Sequence, residues 1–289
     1  MASVNDLAHF ALACHPRTVS VNASCQCILS DGHGQQVKVP LASLRWIRHL
    51  KIGGNGFEPA DLDLSCLPSL TTLEVNTPYY PLKKVVYEAA NLRALTLNGL
   101  QDIYFAPSSP FYHFLEQVSL SRLERLTLKD CSIHRFRGLR RLVFSSVRTL
   151  EIRSVRNAQA LLSQDFPVVE NVFFCSSRKG EIHSFLAGFV TRHAPHLRKI
   201  LLRRCLETKY LLSGSQPCHA LRHLEVINSA GVNALMACRL RIFALEGRVY
   251  FKPEDWNSFC SGPHVLSLEQ VFLAPPNPLV KAEERYQVC

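Results

Sequence analysis

The chain is 289 residues long, 47% hydrophobic and 19% charged, with a net charge of +10. That composition suits a folded, soluble protein with a large core, and no uncharged run approaches the roughly 18 residues of a membrane span. The eleven cysteines are an odd number scattered along the chain, no basic leader opens it, and Asp6 and His9 interrupt its first apolar stretch. No signal peptide is expected, and reduced thiols then point to a cytoplasmic or nuclear protein.

In chain order, a helix is expected over Asn5–Ala13, followed by a short strand carrying Val19 and Val21. Two further strands, Cys25–Leu29 and Val37–Leu41, flank Asp31-Gly32-His33-Gly34 and spell a hairpin. A single pattern then recurs: apolar, two variable residues, apolar, one variable residue, apolar. Its clearest copies begin at Leu70, Leu92, Leu123 and Leu221, with weaker ones at Ile47, Val147, Val169, Leu197, Leu240 and Leu268 and a degenerate one at Pro16. The intervals range from 19 to 31 residues. Side chains alternate along a strand, so the last two apolar residues of each copy face one way and the variable ones the other. Between copies the period changes: Ile182, Phe185, Leu186, Phe189 and Val190 mark an amphipathic helix, and Pro253-Glu254-Asp255-Trp256 a helix start. Ala274-Pro275-Pro276-Asn277-Pro278 ends the series.

Serial copies of this motif resemble the leucine-rich-repeat superfamily over nearly the whole chain. Cys131 and Cys205 stand where the cysteine-containing, ribonuclease-inhibitor-like and F-box-associated repeats carry a turn cysteine, and Asn76 and Asn98 lie near the asparagine position of others. The resemblance implies an α/β solenoid with a concave parallel sheet and helices or turns on its convex side. Residues 1–45 would form an N-terminal cap, 46–274 the repeats and 275–289 a C-terminal cap or tail, in one continuous domain. It also implies an intracellular protein-binding module, in its specific form an adaptor or substrate receptor of a ubiquitin ligase, although the N-terminus lacks the spaced apolar pattern of an F-box.

Catalytic patterns are absent from the sequence. Gly53-Gly54-Asn55-Gly56 lacks the lysine of a phosphate-binding loop, and there is no nucleophile elbow or paired-histidine motif. Cys14, Cys25, Cys27 and His33 are conceivable zinc ligands, but Cys25 and Cys27 read better as small apolar residues of a strand. Leu62 to Leu70 resembles an Elongin-binding box, yet Pro68 would break its helix and Leu67 and Leu70 belong to the repeat. The expectation is no enzyme, no cofactor and no metal.

Binding is expected on the variable strand positions. The central one reads Ser20, Lys51, Glu74, Thr96, Thr127, Glu151, Phe173, Leu201, Glu225, Ala244 and Phe272 in successive copies. Two residues along come Asn22, Gly53, Asn76, Asn98, Lys129, Arg153, Cys175, Arg203, Ile227, Glu246 and Ala274. Phe173, Leu201 and Ile227 interrupt a polar series beside Arg153, Arg203 and Lys129, so these six are the candidate contacts for a protein with an acidic surface. Self-cover by a loop or the C-terminal tail is the structural alternative for this patch. The second functional reading is a nucleic-acid partner. It rests on segments 135–156 and 192–209, which carry +6 and +5, and on arginine after the first apolar residue at Arg17, Arg48, Arg93, Arg148, Arg198, Arg222 and Arg241. Only Phe173 offers a stacking platform there.

Overall fold

The computed structural model describes residues 18–21, 26–30, 36–40, 45–53, 60–64, 67–76, 82–86, 91–101, 103–105, 109–135, 141–175, 183–203, 220–227, 242–246 and 270–273. The chain is α/β, built on parallel strands with few helices, and divides into two compact units, Met1–Val147 and Arg148–Cys289. Among the described residues, no helix is long and apolar enough to cross a membrane. The expected helices at Asn5 and Pro253, and the closing run from Ala274, lie outside the described residues.

In the first unit, strands β1 (Thr18–Val21), β4 (His49–Gly53), β6 (Thr72–Asn76), β8 (Ala94–Asn98) and β10 (Arg125–Lys129) lie side by side and parallel. Each is the strand that its copy of the repeat pattern spells. The register holds the copies in phase, with Ser20 opposite Lys51, Lys51 opposite Glu74, Glu74 opposite Thr96, and Thr96 opposite Thr127. The hairpin strands, β2 (Gln26–Ser30) and β3 (Gln36–Pro40), join antiparallel beside β1, each displaced by one residue from its expected bounds. Two small parallel pairs accompany this sheet: β5 (Ala60–Asp63) with β7 (Leu82–Val86), and β9 (Ile103–Phe105) with β11 (Ile133–Arg135). Helix α1 (Pro110–Ser119) packs against β7 and β9. Ser109 caps it, accepting from the Tyr112 N–H at 3.1 Å, and Pro110 opens it with a φ already suited to a first turn.

The second unit repeats the arrangement with β12 (Thr149–Arg153), β13 (Asn171–Cys175), β14 (Lys199–Arg203), β15 (His223–Ile227), β16 (Ile242–Glu246) and β17 (Gln270–Leu273), all parallel. A short helix α2 (Gln159–Leu162) and the longer α3 (His183–His193) pack together, and the Arg192 guanidinium donates to the Leu162 carbonyl. Leu186, Phe189 and Val190 of α3 are buried as their spacing predicts. Phe189 meets Phe166 and Phe174 edge to face, at ring-centroid distances of 5.8 and 6.1 Å, while the His193 ring lies tilted against it at 4.4 Å.

All three apolar positions of the pattern are core. The first (Ile47, Leu70, Leu92, Leu123, Val147, Val169, Leu197, Leu221) and the inward strand residues (among them Leu95, Leu97, Leu126, Leu128, Leu150, Ile152, Val172 and Phe174) are buried. Each such side chain contributes roughly 1.5–3 kcal/mol by leaving water. The strands also share a way of beginning. The carbonyl before each strand accepts two successive N–H groups from the next copy: Arg48 O from Thr71 and Thr72, Thr71 O from Arg93 and Ala94, Arg93 O from Glu124 and Arg125. Arg148, Glu170 and Arg198 carbonyls do the same in the second unit. Strand ends recur too, because Gly99, Asp130 and Ser154, each the first residue past its strand, have φ of 74, 49 and 52°.

Candidate functional site

Alternation along β13 and β14 sends Val172, Phe174, Ile200 and Leu202 into the core, leaving Phe173 and Leu201 half-buried on the opposite face. Those two stand in register, so neighbouring strands set an aromatic ring beside an aliphatic side chain. The same cross-strand row continues to Glu151 on one side and Glu225 on the other. Along β14, Leu201 lies between Lys199 and Arg203 on the same face, and the Lys199 ammonium sits 5.7 Å from the centre of the Phe173 ring.

The charges around this pair are differently engaged. Arg153 is exposed and its Nε meets the Glu151 carboxylate, two residues back on the same strand face. Glu225 lies 3.4 Å from His223 Nε2. Burial, and secondly the Lys199 ammonium, hold the His223 imidazole below its usual range against the opposing pull of Glu225. Both carboxylates that flank the apolar pair are thus already in contact with cationic or ring nitrogen groups of their own strand. Arg203 is exposed at the end of β14.

Of the six sequence-predicted contacts, four come together here: Phe173, Leu201, Arg153 and Arg203. Ile227 takes the register position opposite Arg203 in β15. Lys129 ends β10 in the first unit, opposite Asn98. Ala244 and Phe272 continue the central row in register on β16 and β17.

The arginine stripe has a different character from the one its sequence suggests. Arg93 bonds Glu124 at 2.8 Å, and Glu170 receives Arg148 at 3.1 Å with Arg198 at 3.9 Å. Glu124 and Glu170 occupy the very position, directly after the first apolar residue, that holds arginine in the adjoining copies. Within each unit the stripe is therefore interleaved with acidic partners, which the sequence could have yielded had the acidic copies been counted with the basic ones. Arg17 and Arg241 lie outside the described residues.

Cys131 is 1% exposed, and its Sγ lies 3.0 Å from the Lys129 carbonyl oxygen and 3.5 Å from that of Leu97. Burial pushes the thiol up to about 11, so it holds its proton. It fills the place that Leu100 and Val155 fill in neighbouring copies, two residues past the strand, and all three are buried. Cys205, Cys14, Cys25 and His33 lie outside the described residues, while Cys27 pairs with Val21 and Val39 within β2. Among the described residues, no three or more His, Cys, Asp or Glu side chains are grouped to hold a metal. Leu64, Leu67 and Leu70 are buried, with Ala60–Asp63 a strand, so this stretch is part of the core and no helical adaptor box.

Comparison with known protein families, with curated proteins and with solved structures gave no match.

Proposed function

We propose that the chain is a leucine-rich-repeat solenoid that binds another protein through the open face of β12–β15. The observation that carries this is the Phe173–Leu201 pair, two large apolar side chains held in register between the polar central positions Glu151 and Glu225. Solvent gives such a pair no reason to be there, whereas an interface core does. Support also comes from the three-position apolar ladder, whose members are buried wherever their burial is described, the packing a stack of repeats requires. The role we infer is recruitment, of the kind that substrate receptors and adaptors of ubiquitin ligases fill.

The nucleic-acid reading draws less support, because Arg93, Arg148 and Arg198 are matched by Glu124 and Glu170 where a phosphate track would need bare cations. The test is the double substitution Phe173→Ser with Leu201→Ser, read by melting temperature and by partner capture from native cells. Partners should be lost with melting nearly unchanged. Retained partners at unchanged stability would reject the site, and unfolding would mean that the pair supports the fold.

A further inference from the structure

Resting on the protein-binding reading above, we infer that His223 gates the apolar pair: when its ring takes up a proton, the Lys199 ammonium is driven further over Phe173 and the face closes. Lys199 stands between two strands of different chemistry. On β13 it is opposite Asn171 and diagonal to Phe173, and its ammonium lies 5.7 Å from the centre of that ring. On β15 it is opposite His223 and diagonal to Glu225, whose carboxylate lies 3.4 Å from His223 Nε2. The cation thus has an aromatic ring on one side and a titratable pair on the other.

The charge state of that pair decides which way the cation is drawn. With His223 neutral, the Glu225 carboxylate keeps its full charge and pulls the ammonium back toward β15, off the ring. With His223 protonated, the imidazolium offsets that carboxylate and also repels Lys199, and the direction away from β15 leads onto Phe173. The flexible four-carbon stem of lysine allows the shift without any movement of the backbone, and a cation is held favourably over an aromatic ring. Burial, and next the Lys199 charge, set the imidazole below its ordinary value of 6.5, so the ring is neutral at pH 7 and the change falls in mild acid. Lys199 opposes the proton on His223, and by reciprocity that proton opposes Lys199. The other groups around His223 leave this sign unchanged. Arg222 precedes it on β15 and Arg203 ends β14, and arginine does not titrate in this range. The β16 positions in register with His223 and Glu225 are Ile242 and Ala244, with Glu246 further along opposite Ile227. On β13 the row holds Asn171 and Phe173, then Cys175, and on β12 Glu151 is already met by Arg153.

The experiment follows the Lys199 ε-methylene protons and the His223 ring protons by NMR of the intact chain, from about pH 7.5 to about pH 5. The Lys199 signal should move upfield, deeper into the shielding of the Phe173 ring, with the midpoint of the His223 titration. His223→Gln should abolish that movement, and Lys199→Gln should raise the His223 midpoint. A Lys199 signal that stays in place or moves downfield in acid, or that titrates equally in His223→Gln, overturns the gate. These readouts involve no partner, so they succeed or fail independently of the binding face. The consequence for binding is read on partners that depend on Phe173 and Leu201. The parent should capture them at least about threefold less in mild acid than at neutral pH, and His223→Gln equally at both. An equal loss by parent and variant would overturn the gate and leave the binding face in place, whereas finding no partner that depends on the pair would overturn the protein-binding reading itself.

Discussion

The open faces of β6–β10 and of β13–β14 use identical register positions and fill them with opposite chemistry. In the first unit, Lys51 meets Glu74 at 2.8 Å and Asn98 donates to the Asn76 side-chain oxygen at 3.2 Å, while Thr96 and Thr127 continue the central row. Thr127 is itself buried, against the expectation that every variable position faces solvent. In the second unit the equivalent places hold Phe173 and Leu201. Polar side chains on a sheet face can satisfy one another across neighbouring strands. An apolar pair has no such recourse, and only exclusion of water improves its free energy. On the proposed reading, the difference separates a face that is complete by itself from one that a partner completes.

The sharpest way to break this comparison is to change adjacent residues of β13. Phe174→Ala should cost about 3–5 kcal/mol by emptying a core site, while Phe173→Ser should cost under about 1 kcal/mol. Urea unfolding of the two variants measures both. Similar losses would mean that Phe173 also belongs to the core, and the contrast with Thr96 would vanish.

A second test concerns pH. The Cys131 thiol is raised from 9.0 to about 11 in the folded chain, so its contribution is whole below the unfolded value and is lost as pH rises through the folded one. Between pH 9 and 11 the parent should therefore lose on the order of 2 kcal/mol more than a Cys131→Val variant. The comparison cancels other groups that titrate there. Parallel pH curves, or rapid labelling of Cys131 by a thiol reagent in the native protein, would place the side chain elsewhere.

Smaller effects test the backbone. Gly99→Ala forces a side chain onto a residue at φ 74° and should cost about 1 kcal/mol. Gly188, exposed in the middle of α3, is the opposite case, since a Cβ there would meet nothing within 4 Å. Gly188→Ala should stabilise the second unit by about 0.5–1 kcal/mol through helix propensity alone. Thermal unfolding reads both signs, and destabilisation by Gly188→Ala would show a contact on that helix face.

The strands were legible because their signal is internal to each copy. Leu70, Leu73 and Val75 declare one strand without reference to anything distant, and the same spacing at Leu92 or Val169 declares its neighbours in the same phase. Helix α3 was legible for a similar reason, from the spacing of Leu186, Phe189 and Val190. The pairs β5–β7 and β9–β11 carry no repeated pattern, and their strands are three to five residues long, too short for a period to emerge. Helix α1 was not among the helices expected between copies, although Ser109-Pro110 is a start signal. At the site, Phe173 and Leu201 followed directly from alternation. What could not be read was the state of the charges. Arg153 bonding to Glu151, Lys199 resting over Phe173 and Arg148 meeting Glu170 depend on side-chain geometry that spacing does not specify.

The central claim is that the second face is completed by a partner, and photo-crosslinking in native cells tests it most directly. A photoreactive phenylalanine analogue would be placed at Phe173, at Leu201, and at Thr96 as the matched position of the first unit. The account predicts intermolecular adducts from Phe173 and Leu201 and none from Thr96. Adducts from Thr96 alone, or adducts at Phe173 and Leu201 that join only to the chain itself, would contradict it.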